Sequence, residues 1–142
     1  MDIDSDEFGV AAARTVGHDL PAWARAIGLV FYGIAGALSA VIEILLIPIR
    51  HGTVYIPVAV VLAVASNIVL PRLSRNLAGS TIGALPPVIM WILVTITLQS
   101  SRPEGDVLVP GGGSIQYVSY GVMLGGVFTG LISVLVAGGR RR

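Results

Sequence analysis

One carboxylate stands where a carboxylate is out of place. Between positions 24 and 49 the chain reads ARAIGLVFYGIAGALSAVIEILLIPI, and Glu43 is its only acidic side chain. About 20 such residues cross a bilayer core of roughly 30 Å as a helix. An ionised group at that depth is costly, so Glu43 must be paired, hydrated or protonated. Two chemistries follow. A carboxyl that exchanges a proton for a cation couples transport. A carboxylate held by a permanent ion pair or hydrogen bond locks helix ends together. By depth, its expected neighbours are Thr95 and Gln99 on the third apolar run, Tyr117 and Tyr120 on the fourth, and Arg50 two turns along its own run. The expected polar cluster is therefore Glu43, Arg50, Gln99, Tyr117 and Tyr120, with Asn67 too near the opposite end to take part.

Other chemistries lack their groups. The chain has no Cys, which removes disulfides, thiol catalysis and cysteine metal sites. His18 and His51 fall on opposite sides of the membrane in a four-span reading and cannot share a metal. Ser39, Ser66, Ser119 and Ser133 have no intramembrane His or Asp with which to build a hydrolase triad. In the loop before the last run, Arg102, Glu104 and Asp106 offer too few oxygens for a hard cation and read as a charge-paired turn. The glycines 111–113 are not followed by the Lys-Ser/Thr of a phosphate loop. We expect no enzyme, no metal and no cofactor, and a formal net charge of +1 gives nucleic acid no purchase.

The elements that must position Glu43 are helices in lipid. Hydrophobic residues make up 54% and charged residues 12%, with a mean hydropathy of +0.85, against about 25% charged in ordinary soluble domains. A water-soluble chain this small has too little interior to hide so many apolar side chains. The sequence predicts an all-α membrane domain over 23–139, with spans at 24–49, 54–70, 81–98 and 115–137. A polar, acidic tail over 1–22 precedes it and a basic end over 140–142 follows. In the first span Tyr32, Gly36, Ser39, Ala40, Glu43 and Arg50 share a face that should meet protein, while Ile34, Leu38, Val41 and Leu45 should meet lipid. In the second, Ala59, Ala63, Ser66 and Asn67 share a face, and Pro71 is expected to end the helix. Pro86-Pro87 should kink the third span or delay its regular part. Trp91 lies near the middle of that span, where an indole packs between helices rather than at the interface. The fourth holds Gly121-x-x-x-Gly125 and Gly126-x-x-x-Gly130, two close-approach motifs on different faces, so it should sit between two neighbours. Gly36 and Ala40 are the matching small residues of the first span.

All nine basic residues are Arg. Four spans put Arg14, Arg25, Arg72, Arg75 and the terminal Arg140, Arg141 and Arg142 on one side, against Arg50 and Arg102 on the other. Positive residues stay inside, so both termini are expected in the cytoplasm of a cell with this protein in its inner membrane. The clustered Arg residues could also hold anionic lipid at the inner leaflet.

The run 102–106 (RPEGD), after a third span and before a Gly-rich fourth, resembles a family of small four-span membrane proteins of unknown function from high-GC Gram-positive bacteria. That resemblance implies inner-membrane residence and no assigned activity. The chain is also similar to small multidrug resistance transporters in having four spans, a Glu in the first and a Trp in the third, at Glu43 and Trp91. It departs from them in its N-terminal tail, its loop at 99–114, the AVIEILL context of Glu43 and its one-way Arg bias. The Gly-rich and Arg signature of the small fluoride channels has no equivalent here. Two functions are therefore expected from different classes. One is a non-enzymatic accessory or scaffold subunit, packed through its Gly-rich helix faces against a second copy or a larger membrane complex. The other is a small proton- or cation-coupled transporter using Glu43.

Overall fold

A computed structural model describes residues 20–51, 54–100 and 113–139. The acidic tail, the RPEGD turn with Arg102, Glu104 and Asp106, and the terminal arginines lie outside the described residues, as does His18. Among the described residues, four helices are long and apolar enough to cross a membrane. In chain order α1 is Ala22–Leu46, α2 is Val58–Ala78, α3 is Leu85–Gln99 and α4 is Ile115–Gly139. A small antiparallel hairpin, β1 (Arg50–His51) with β2 (Val54–Tyr55), joins α1 to α2 and pairs Arg50 with Tyr55. α1 packs on α3 and α2, and α2 packs on α4.

Three helix ends differ from the expected ones, and they are connected. The two strands Arg50–His51 and Val54–Tyr55 stand between the helices, so α1 stops at Leu46 and α2 begins at Val58. A helix from 58 to Pro71 would measure only ~20 Å, too short for a core of roughly 30 Å. α2 instead runs through Pro71, which is buried, to Ala78. Bilayer helices tolerate an internal proline where neighbouring groups satisfy the freed backbone. The stretch after Pro71, expected to lie outside the spans, is thus helical as far as Ala78, and Arg72 and Arg75 are helix residues. The true stop is Gly79, whose φ of 65° closes the helix with its N–H on the Arg75 carbonyl at 2.9 Å.

A 3-10 turn, Thr81–Ala84, leads into α3. Ser74 Oγ donates to the Gly83 carbonyl at 2.5 Å and ties this turn to α2. Pro86 and Pro87 fall in the first turn of α3, where the missing N–H groups have no intrahelical partner anyway. The regular helix starts late there, as the dipeptide dictates.

Helix faces follow side-chain size. Gly33, Gly36, Ala40, Glu43 and Ile44 are buried on α1, while Ile34, Leu38 and Leu45 are exposed on its outer face. Gly36 meets the backbone of Pro87, so α1 and α3 cross at a point that has no room for a Cβ. On α4, Gly121 and Gly125 face Val60 and Val64 of α2, and Gly126 and Gly130 face Trp91 and Val88 of α3. α4 therefore lies between two neighbours within its own chain.

A buried carboxylate held by three neutral donors

Glu43 has no exposed surface. Ser39 Oγ donates to its Oε1 at 2.5 Å and Ser66 Oγ donates to the same oxygen at 2.7 Å. Trp91 Nε1 donates to Oε2 at 2.6 Å. The cluster draws on three helices, and Trp91 extends it to the fourth, because the benzo edge of its indole rests on Gly126. No residue larger than glycine fits there with the indole in place.

The local reasons are elementary. Helical Cα–Cβ bonds tilt toward the helix N-terminus, so a side chain covers the turn before its own. Glu43 therefore reaches back over Ser39, one turn deeper in the bilayer. Ser66 lies on the small-residue face of α2 that Ala59, Ala63 and Asn67 also occupy. Trp91, centrally placed on α3, turns its one donor to the carboxylate and its apolar edge to α4.

The same tilt explains why the expected cluster comes apart. Arg50 is exposed in the hairpin and does not touch Glu43. Tyr117 and Tyr120 are 70% and 59% exposed on α4 and face away from the carboxylate. All three lie toward the hairpin end, whereas the Glu43 side chain points the other way. Gln99 lies apart from the cluster, with its Oε1 accepting from Ser119 Oγ at 2.8 Å. Asn67 donates to the Ala63 carbonyl at 3.0 Å, not to Glu43. Ser39 and Ser66 were the partners to find. The S-x-x-x-E spacing at 39 and 43 was the signal for the first, and the polar stripe of α2 for the second.

Glu43 is the only Asp or Glu among the described residues, and no Arg or His among them reaches it. Its donors are all neutral. Bonds to a charged group contribute about 1.5–3 kcal/mol each, and burying an ion costs several kcal/mol. Three such bonds are of the same order as the penalty, so energy excludes neither protonation state. Geometry allows both as well. An indole only donates, which fixes Oε2 as an acceptor, whereas serine hydroxyls donate or accept. A proton would therefore sit on Oε1 and point to a serine. Ser66 already has a second acceptor, the Ala63 carbonyl at 3.2 Å, to which its own hydrogen turns when it accepts from the carboxyl.

Polar groups continue from the cluster along α3 at one-turn spacing. Thr95 and Gln99 follow Trp91, and the Thr95 hydroxyl and Gln99 Nε2 are buried with no partner. Buried groups of this kind call for water or an ion. On its other flank, a groove of about 470 Å³ opens between α1 and α2, with Ser39 and Ser66 in otherwise apolar walls that include Leu38, Ile42, Leu62 and Val69. Among the described residues no three His, Cys, Asp or Glu come together.

Comparison with known proteins yields a family. DUF6113, a family of unknown function, matches residues 13–141. No curated protein and no solved structure is similar to the chain.

Proposed function

From the premise that this chain belongs to the DUF6113 family, we propose that it is a small multi-span carrier in which the Glu43 carboxyl exchanges a proton for a monovalent cation. One observation carries the reading: a fully buried carboxylate whose three donors are neutral and whose hydrogen bonds can be rearranged to hold a proton. A purely structural fastener would gain as much from a neutral amide and would avoid the desolvation penalty. In the exchange the Oε1–H bond breaks, the proton leaves to water, and the cation's charge replaces it beside the carboxylate, so charge balances. The unpartnered Thr95 hydroxyl and Gln99 Nε2 offer a polar route toward the hairpin end. The groove beside Ser39 and Ser66 offers room for a cation with an apolar body. The bilayer is the setting, with both termini in the cytoplasm, and the protein is not an enzyme.

The accessory or scaffold reading would place α4's glycines on a partner. Both of those faces are occupied within the chain by Val60, Val64, Val88 and Trp91, so the α4 glycines do not support that reading. Proton flux in proteoliposomes decides between them. Purified wild type should release or take up protons when gradients of Na⁺, K⁺, guanidinium, tetramethylammonium or tetraphenylphosphonium are imposed, with at least one cation active. Glu43→Gln should abolish that flux while the protein stays folded. A wild type inert to every cation sinks the carrier reading and leaves a structural role for the cluster.

A further inference from the structure

The largest concentration of unpartnered positive charge among the described residues lies far from Glu43. A cavity of about 260 Å³ between α2 and α4 is lined by Arg72, Arg75 and Asn76 on one side and by Thr129, Ile132 and Ser133 on the other. The described residues hold no carboxylate other than Glu43, and that one is fully engaged, so neither guanidinium has an acidic partner there. Guanidinium forks match the oxygens of a phosphate, and the Asn76 amide and Ser133 hydroxyl add donors. Thr129 is already committed, since its hydroxyl donates to the Gly125 carbonyl at 2.6 Å.

Depth and lining select what carries the phosphate. Arg72 and Arg75 stand ~9 Å and ~4.5 Å before the end of α2, the level at which headgroups meet the hydrocarbon. Ile68, one turn before Arg72 on α2, lines the same cavity on the side toward the bilayer centre, and Ile132 lines its α4 wall. A free anion has no use for that apolar wall, whereas an acyl chain does. We propose that this cavity binds the headgroup of an anionic phospholipid, with the phosphate between Arg72 and Arg75 and the chain descending along Ile68 and Ile132. The site is separate from the carboxyl cluster and stands whether or not the protein is a carrier.

Lipid retention measured by native mass spectrometry of the full chain tests it, with phosphatidylglycerol and phosphatidylcholine offered at equal concentration. Wild type should retain phosphatidylglycerol preferentially. A guanidinium near an anionic surface contributes about fivefold in binding, so Arg72→Gln should weaken retention by about that factor and Arg72→Gln/Arg75→Gln by on the order of tenfold or more. Arg25→Gln, in the first turn of α1 and outside the cavity, should retain the lipid as wild type does. Equal losses in the Arg25 and Arg72 variants would show diffuse charge attraction and overturn the site. So would retention unmoved in both Arg72 variants. Displacement of the lipid by millimolar inorganic phosphate would replace it with a free-anion site.

Discussion

The Trp91–Glu43 bond can be measured as a coupling energy, and its size reports the state of the carboxyl. Trp91→Phe keeps most of the ring against Gly126 but removes the N–H that meets Oε2 at 2.6 Å. Glu43→Leu removes the acceptor and the charge. Together with wild type and the double variant Trp91→Phe/Glu43→Leu they form a double-mutant cycle that isolates the pair. Hydrogen bonds between helices in bilayers average about 0.6 kcal/mol and reach about 1.7. A bond to an ionised group contributes about 1.5–3 kcal/mol. The two ranges barely overlap, which makes the magnitude decisive. With the carboxylate ionised we expect a coupling of about 2 kcal/mol, roughly thirtyfold in the unfolding equilibrium. The assay is equilibrium unfolding in mixed detergent micelles titrated with sodium dodecyl sulfate, followed by far-ultraviolet circular dichroism, because Trp91→Phe removes the fluorophore nearest the site. A coupling near 0.6 kcal/mol would mean a neutral carboxyl in the resting protein. A coupling indistinguishable from zero would refute the cluster itself.

Two further outcomes rest on separate observations. Gly36→Ala drives a Cβ into the backbone of Pro87, which cannot rotate away, whereas at Gly33 the nearest atom is the Met90 side chain at 3.5 Å; unfolding titrations should show a loss of about 2–3 kcal/mol for the first and a change within about 0.5 kcal/mol for the second. Because the chain has no Cys, single cysteines map its sides cleanly: Ser80→Cys before the 3-10 turn and Ser114→Cys before α4 should label from opposite faces of the membrane, Ser80 from the cytoplasmic one, and labelling from one face would break the four-span topology.

Much was legible without coordinates because lipid imposes simple rules. An apolar run of spanning length has to be helical, since no water satisfies its backbone in the bilayer. Composition and run lengths therefore determined the four helices, and residue size along each run determined which face is buried. Gly36 and Ala40 read as interior and are buried; of the expected outer residues Ile34, Leu38 and Leu45 are exposed, while Val41 is half-buried. The two glycine pairs of α4 likewise meet two different neighbours because their spacing puts them on two faces.

What the tertiary structure decided was who meets Glu43. Sequence depth ranks groups by distance from the midplane, but a side chain's reach along the helix and the azimuth of its neighbours are set by packing. Arg50, Tyr117 and Tyr120 had the right chemistry at the hairpin end, and the carboxylate reached the other way, to Ser39, Ser66 and Trp91. Helix ends were decided the same way. Pro71 has the local chemistry of a stop, yet the hairpin had used up the start of the span, and the thickness of the bilayer carried α2 through it to Gly79. Local rules set each element. Only the contacts between elements assigned the carboxylate its partners.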